Sequence, residues 1–488
     1  MTIMTRNVCY GIGVGLIPFL LAPSSWPREL TLDDALQRAV SRTSRSEIIR
    51  GNLEVAESNY SAERVNFYLP EISLNGSVPA YSVNESFRSW FGQPRKSMIK
   101  TTDFDFRGNI QLKQSLFSGG LLTVRGNLLN NQAEYPFGND LNVIIEENTR
   151  QGFFDFELDQ PFLKPSDARN DLHNRKDDLQ IAHLTKVTEL TELKTEITEA
   201  YFGVLQQTLQ AELTNDQFEA ARLQAEIDSS KFQDGVISEE AWLESNSSRL
   251  DTELQQYDTD NLLLEKTREL AILLDFNELE GPTPGVPILS DHPDRQHQQQ
   301  TIERYEESVD VLKAWYQYRK DQRSADYAAS AHGLNGNLRA KYTLGRGKVT
   351  TEGSPDDDIR ANSWQVSLDF SYPIWDGGAS GAAVKAERLT EEKARIEYER
   401  ARRAARAEIV NLINRLDVSY RKLQILDQQI RLNKSKLEIA DYRCRDGQIS
   451  RITYLESKID HLEARDKYLE ELKKYLLDKI ALQGKYIG

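Results

Sequence analysis

Several stretches of the chain alternate strictly between apolar and polar residues. From Phe104, the positions Phe104, Phe106, Gly108, Ile110, Leu112 and Leu116 oppose Asp105, Arg107, Asn109, Gln111 and Lys113. Phe154, Phe156, Leu158 and Phe162 oppose Asp155, Glu157 and Asp159. Trp364, Val366, Leu368, Phe370, Tyr372 and Ile374 oppose Ser363, Gln365, Ser367, Asp369 and Ser371, and Leu334, Leu338, Tyr342 and Leu344 oppose Asn335, Asn337, Arg339 and Lys341. Weaker strands are predicted at Ile72, Leu74 and Val78 and at Leu122, Val124 and Leu128. A period of two gives a strand one wet face and one apolar face. Each run is close to the roughly 9–11 residues that cross a bilayer as a tilted strand. Aromatic residues stand near the ends, where the membrane interfaces would lie.

Between the strands the period changes to that of helices. Leu190, Leu193, Ile197, Tyr201 and Val204 form one seam, and Ile409, Leu412, Leu416, Leu423, Leu426 and Ile430 form another. Heptad-like seams of this kind predict coiled-coil packing in two very long helices, from near Ser166 to Lys231 and from near Gly381 to Arg445. About 65 residues at the helical rise span roughly 100 Å. Each long helix ends in the same phrase, "DGVISEEAWLES" from Asp234 and "DGQISRITYLES" from Asp446. Asp-Gly offers a left-handed terminus, and Ser238 or Ser450 can cap a new helix. Each phrase therefore predicts the turn of a helical hairpin. The return helices run to about Phe276 and Tyr486, and shorter helices are expected over Thr31–Tyr68 and Thr301–Ala331.

The two phrases lie 212 positions apart, as do Pro161 and Pro373, and Ile197 and Ile409. One constant offset means no insertion within the span, since each added residue would rotate a packed seam by about 100°. Upstream, the two "LNG" triplets at Leu74 and Leu334 differ by 260, so the first copy carries 48 extra residues. The chain divides into two units, 30–276 and 301–486. Strands are expected over 71–163, with an inserted hairpin at about 88–150, and over 334–375. Helical hairpins are expected over 166–276 and 378–486, with a Pro- and Gly-rich linker at 277–300. The insertion would either add two strands to the sheet or fold beside it.

The composition fits this picture. Of 488 residues, 39% are hydrophobic and 28% charged, a balance that suits narrow helical seams better than one large globule. A formal net charge of −15 argues against nucleic acid as a partner. Arg6 and the apolar run Val8–Ala22, followed by small residues and Pro23, have the form of a secretory signal peptide over 1–25. Cys9 lies too early in that run to accept a lipid, and its removal would leave Cys444 as the single thiol. No other segment is apolar enough for a membrane helix, so a membrane span must be built from strands. Four or six strands do not readily close around an open lumen, so a cyclic oligomer is expected. The fold class expected is an α+β membrane protein: a duplicated unit of long antiparallel coiled-coil helices, with transmembrane β-strands contributed to a shared barrel. Its partner would be membrane lipid.

No catalytic, cofactor or metal chemistry is expected. The six histidines lack metal-ligand spacing, and no GxSxG, P-loop or dinucleotide fingerprint occurs. "SPDDDIR" at Ser354–Arg360 reads as a solvated hairpin loop.

Two copies of helix, strands, long helix, glycine turn and return helix resemble the TolC-like outer-membrane efflux proteins. The resemblance runs from about Leu30 to Tyr486. Its most specific parts are "FQDGVISEEAWLES", "YRCRDGQISRITYLES", "DQPFLKPSDAR" and "SYPIWDGG". It implies a homotrimer with one barrel in the outer membrane and one helical tunnel in the periplasm. It also implies a passive exit duct for a tripartite efflux or type I secretion system, opened by a periplasmic adaptor bound to an inner-membrane pump. By the same resemblance Gly235, Val236, Ile237, Ser238, Gly447, Gln448, Ile449 and Ser450 are the adaptor-contacting tips. Glu244, Thr453 and Glu456 line the entrance, while Ala241 and Thr453 stand where the family often has acids. A Tyr and an Arg that lock the closed entrance in the best-known member are replaced by Cys444 and Ile449, which leaves Arg443, Arg445 and Arg451 to pair otherwise. The competing reading is a structural or adhesive periplasmic coiled coil with a soluble sheet.

Overall fold

The computed structural model of the protein describes residues 30–88, 97–137, 140–164, 166–276, 282–289, 292, 294–372 and 374–486. The expected signal peptide, part of the expected linker and Pro373 lie outside the described residues. The first unit contains α1 (Leu32–Arg42), α2 (Ser44–Tyr68), β1 (Glu71–Arg88), β2 (Ser97–Ser115), β3 (Leu121–Phe137), β4 (Asp140–Pro161), α3 (Asp167–Gln233) and α4 (Glu239–Leu273). The second contains α5 (Arg295–Glu303), α6 (Val309–Ala331), β5 (Asn335–Thr351), β6 (Asp357–Ser371), α7 (Ala379–Arg445) and α8 (Arg451–Gly484).

The duplication survives to the residue. Helices α3 and α7 each have 67 residues, and their ends share one geometry. Asp234 and Asp446 both have φ −80° and ψ 0°, and Gly235 and Gly447 both have φ 69°. The amide of Val236 bonds the carbonyl of Lys231 at 2.8 Å and that of Gly235 bonds Phe232 at 3.0 Å. Gln448 to Arg443 and Gly447 to Cys444 repeat the pattern at 2.8 and 3.1 Å. These paired bonds form a Schellman terminus, which needs the left-handed residue that glycine supplies without a Cβ clash. The hydroxyls of Ser238 and Ser450 then accept the amides of Ala241 and Thr453 and start α4 and α8.

The leading helices depart from the expected spans. Thr31–Tyr68 divides at Thr43, whose hydroxyl accepts the amide of Ser46 and bonds the carbonyl of Ala39 at 2.6 Å. Thr301–Ala331 divides into the end of α5, a 3-10 turn at Tyr305–Glu307 and α6, which begins after buried Ser308. Helix α5 also begins within the expected linker, because the Asp294 carboxylate caps it through the amide of His297 at 2.8 Å. Another part of the linker is pinned beside the first unit. Leu30 bonds Thr283 and Gly285 through its backbone, and the Tyr201 hydroxyl lies 2.6 Å from the carbonyls of Leu30 and Gly285.

The core follows the predicted seams. Leu193, Ile197, Tyr201 and Val204 of α3 are buried with Leu416 and Leu423 of α7, Leu472 and Tyr475 of α8, and Leu270 of α4. Each such side chain contributes about 1.5–3 kcal/mol on burial. Helix α3 packs on α4 and α8, and α7 packs on α8. The four therefore lie in the order α4, α3, α8, α7, with α4 and α7 at the two margins.

Charge fastens the units where apolar seams give out. Asp177 of α3, with a fully buried side chain, is paired with both Arg319 and Arg323 of α6, and Arg323 also bonds Asn174 at 3.0 Å. Lys458 of α8 lies 2.8 Å from buried Asp216 and 3.5 Å from Glu212 on α3. Lys485 joins Asp310 and Glu408 at 2.8 Å each. Burial works against the charge on Lys458 and Lys485, but the facing carboxylates prevail and hold both above the ordinary lysine value.

Two outcomes follow. Asp177→Ala removes the buried carboxylate that holds Arg319 and Arg323 and lowers stability by about 1–3 kcal/mol, read by thermal unfolding. The two lysines have raised folded pKa values, so their contribution is complete below about pH 10.4, the unfolded value, and is lost as pH rises through the folded one. Tm should hold up to about pH 10 and fall above it, and Lys458→Met should remove part of that fall.

Candidate functional site

The six strands form one antiparallel sheet in the order β1-β2-β3-β4-β5-β6. The insertion therefore adds β2 and β3 to the sheet rather than standing beside it. It is smaller than the interval 88–150, because β4 already begins at Asp140. The strands have 15 to 22 residues, longer than a bilayer crossing requires. Strand β6 ends at Ser371, before Ile374, which is 93% exposed beyond it.

Register turns the alternation into rows across the sheet. Ile72, Leu112, Val124, Phe156, Tyr342 and Trp364 stand in one row. The next row is Ser73, Gln111, Arg125, Asp155, Thr343 and Ser363 on the opposite face. The apolar face is the open one, with Trp364 77% and Leu368 56% exposed. The polar face is cross-linked instead. Arg125 meets Glu157 at 3.0 Å, Asn127 and Thr343 both donate to Asp155 at 3.1 and 2.7 Å, and Arg339 sits 3.7 Å from Asp159 and Asp369. An open apolar face backed by a charged one inverts the order of a soluble sheet. It suits lipid outside and water inside.

One strand changes parity. The β1–β2 register slips between Ser77 and Ala80, so the open apolar positions pass from Ile72 and Leu74 to Tyr81 and Val83. The alternation with Val78 expected from sequence does not continue through this bulge, because an extra residue exchanges the faces.

The apolar band also climbs across the sheet. At its margin toward the hairpin tips stand Trp364 on β6, Leu344 on β5, Phe154 on β4, Leu128 on β3, Phe104 on β2 and Val83 on β1. The row of Trp364 crosses β2 at Leu112, whereas Val83 lies opposite Thr102, ten residues further along β2. At the helical margin the band runs from Phe370, opposite Gly336, to Ile72, whose row crosses β5 at Tyr342, six residues further along. A climb of six to ten residues over five strand steps corresponds to a tilt of roughly 40–55°, near that of a closed barrel.

The helical end carries the other predicted residues. Gly235, Val236, Ser238, Gly447, Gln448 and Ser450 are exposed, and Ile237 and Ile449 are half-buried at the two turns. Phe232 stacks on Trp242 behind the first turn at 5.2 Å. Glu244, Thr453 and Glu456 are exposed on α4 and α8. The Thr453 hydroxyl lies 2.9 Å from that of Ser450, and neither glutamate has an ion-pair partner among the described residues. Arg445 pairs with Asp441 at 2.7 Å, and Arg451 reaches Glu219 of α3 at 3.5 Å and lies over Tyr454. Sequence reasoning missed the Asp177 and Asp216 bridges. Their partners are far away in sequence, and no local pattern marks them.

Two further stripes have no partner among the described residues. On α4, Leu243, Leu250, Tyr257 and Leu264 recur every seven residues and are 50–66% exposed. On α7, Val418, Ile425, Leu432 and Ile439 do the same at 53–65%. Counted from Asp234 and Asp446, the stripes lie at 9, 16, 23 and 30 and at 7, 14, 21 and 28 residues. Their levels match for antiparallel packing of α7 against α4 of another copy. Apolar side chains left open at heptad spacing mark a helix interface.

Elsewhere, an open groove among α3, α5, α7 and α8 is lined by Leu190, Lys194, His292, Arg304, Leu416 and Tyr475, and His292 bonds Asp417 at 2.7 Å and stacks on Tyr420 at 4.6 Å. Among the described residues no group of three or more His, Cys, Asp or Glu could hold a metal ion, and no helix is long and apolar enough to cross a membrane.

The two faces of the sheet should respond oppositely to charge. Leu368→Arg, on the open face, should cost about 2–4 kcal/mol and block assembly into vesicles, whereas Ser363→Arg, on the other face and opposite Thr343, should be tolerated. Protease protection of the vesicle-bound protein measures both.

Residues 305–484 match the family model described as outer membrane efflux protein. No curated protein matches the sequence. The fold is similar to the CmeC outer membrane channel of Campylobacter jejuni, with a TM-score of 0.61 at 14% identity, over 93% of this chain and 86% of that one. It is similar to the outer membrane protein VceC of Vibrio cholerae, with a TM-score of 0.58 at 12% identity, over 94% and 97%. It also resembles the open state of the MtrE outer membrane channel of Neisseria gonorrhoeae, with a TM-score of 0.52 at 12% identity, over 93% and 88%. Residues 305–484 thus carry an outer membrane efflux protein domain, and the chain as a whole has the fold of these outer-membrane channels.

Proposed function

We propose that three copies of this chain form a passive exit duct through the outer membrane and across the periplasm, opened from below by a periplasmic adaptor and an inner-membrane pump. The observation that carries the reading is the pair of matched stripes on α4 and α7, at opposite margins of the helical row. A contact between two different faces of one subunit propagates head to tail and closes into a ring. The sheet makes the same demand, because the outer edges of β1 and β6 must find partners in lipid. Six strands from each of three copies would give a barrel of eighteen, wide enough to hold an aqueous lumen.

In this reading the two exposed turns of each copy are sockets for the adaptor: Gly235 to Ser238 and Gly447 to Ser450. Their hydrogen-bonded termini hold them in one shape, so partner binding costs little ordering entropy. Glu244 and Glu456 face the entrance and give it a weak preference for cations, and Thr453 leaves it wider and less charged than an acid would. Tripartite efflux and type I secretion use the same passive geometry, and the duct itself needs no catalytic group. A rod with a soluble sheet would require the open apolar face to be covered, and Trp364, Leu368 and Phe370 on it are exposed.

Mass measurement in detergent should give three times the 55.8 kDa chain, less any removed leader, and planar bilayers should show conductance. Leu432→Glu with Leu250→Glu should dissociate the ring. Glu456→Gln should lower cation selectivity without changing assembly. A monomer with no conductance would overturn the proposal.

A further inference from the structure

The open face of the sheet changes from apolar to basic just beyond its band. On β5, Leu344 is followed on the same face by Arg346 and Lys348. On β6, Trp364 is followed by Asn362 and Arg360, and on β4, Phe154 is followed by Gly152 and Arg150. All four cations are exposed. At the strand rise each same-face step is about 7 Å, so they stand within roughly 7–14 Å of the band's margin. They lie on the side of the hairpin tips, away from the helices.

Register places like charges against each other. Arg346 is the direct partner of Arg360, and Arg150 is the direct partner of Lys348 in the next row. Directly opposed side chains have Cβ atoms about 5 Å apart, and like charges there are destabilising. The acids nearby take up the lysine but leave the arginines. Asp356 pairs with Lys348, and Asp358 stands opposite the same lysine. Glu146 and Glu134 face each other further toward the tips. Among the described residues Arg150, Arg346 and Arg360 have no acidic partner.

We propose that Arg150, Arg346 and Arg360 form a phosphate-binding patch for an anionic lipid of the outward-facing leaflet. The uncompensated Arg346–Arg360 opposition is tolerated when an anion lies between the two guanidiniums. Guanidiniums bind phosphate oxygens bidentately, which suits the arginine-rich set. The position selects a lipid as the source of the phosphate. The patch faces away from the lumen and adjoins Trp364, Leu344 and Phe154, so a phosphate bound there would have its acyl chains against the apolar band. Such contacts would fix the depth and rotation of the sheet in its membrane. This inference rests on the sheet lying in the outer membrane, with its hairpin tips outward.

The test uses the full-length protein purified in mild detergent and followed by native mass spectrometry. Two probes are added: a glycolipid carrying two phosphates on its sugar headgroup, and the same glycolipid after dephosphorylation. The phosphorylated probe should bind the wild type and bind Arg346→Gln/Arg360→Gln about 30-fold more weakly. The dephosphorylated probe should bind both equally weakly, and salt should weaken only the first interaction. Arg150→Gln, a single change at an exposed position, should give a smaller loss and guards against misfolding of the double variant. Equal binding of the two probes by the wild type would overturn the patch. Displacement of the lipid by equimolar inorganic phosphate would show a free-anion site and overturn the lipid assignment. Failure of the protein to enter vesicles of any composition would remove the membrane reading beneath the proposal, while entry with indifference to headgroup phosphate would remove the patch alone.

Discussion

The backbone hydrogen-bond requirement of a strand in hydrocarbon governs this molecule. A helix satisfies its own amides and carbonyls, but a sheet leaves one row unpaired at each edge. Here those rows are the outer edges of β1 and β6. The apolar face identifies the solvent against which they would be unpaired. In the proposed trimer closure comes from other copies, which the chain would meet on both sides. The same demand reappears in the helices, where α4 and α7 present matched stripes at opposite margins.

Duplication makes this arrangement economical. One plan written twice gives two hairpins with superimposable turns, down to the φ of Gly235 and Gly447. The seam between long helices cannot absorb an inserted residue, so α3 and α7 have kept equal length. A sheet can absorb an entire hairpin, because two more strands restore the direction of the chain and leave both edges as they were. The extra β2 and β3 accordingly fall within the sheet and not within the tunnel. They widen the proposed barrel without altering how the helices meet.

Polar contacts work differently in the two halves. In the sheet, Arg125 pairs with Glu157, Arg339 with Asp159 and Asp369, and Asn127 and Thr343 donate to Asp155, which leaves a cross-linked wet face of mixed sign. In the helices, Asp177 and Asp216 are buried and each is held by cations from another helix. Those pairs fix the register of the helices, since a buried carboxylate tolerates no shift away from its partner.

The sequence by itself determined what depends on short-range periodicity. Alternation from Phe104 and from Trp364 gave two strands with the correct open face, and the duplicated Asp-Gly phrases gave both turns and caps, because these features need only neighbouring residues. It could not determine that the Thr31–Tyr68 segment breaks at Thr43, where a buried hydroxyl competes with an otherwise continuous helical pattern. Nor could it show the face exchange after Ser77, which depends on pairing with β2. The candidate tips were legible in the same local way, but their bracing by Glu219 and Asp216 was not. Only the tertiary structure decided the order of six strands, the climb of the apolar band and the opposition of Arg346 to Arg360. Those are relations between segments far apart in the chain, set by long-range hydrogen bonds that no local pattern encodes.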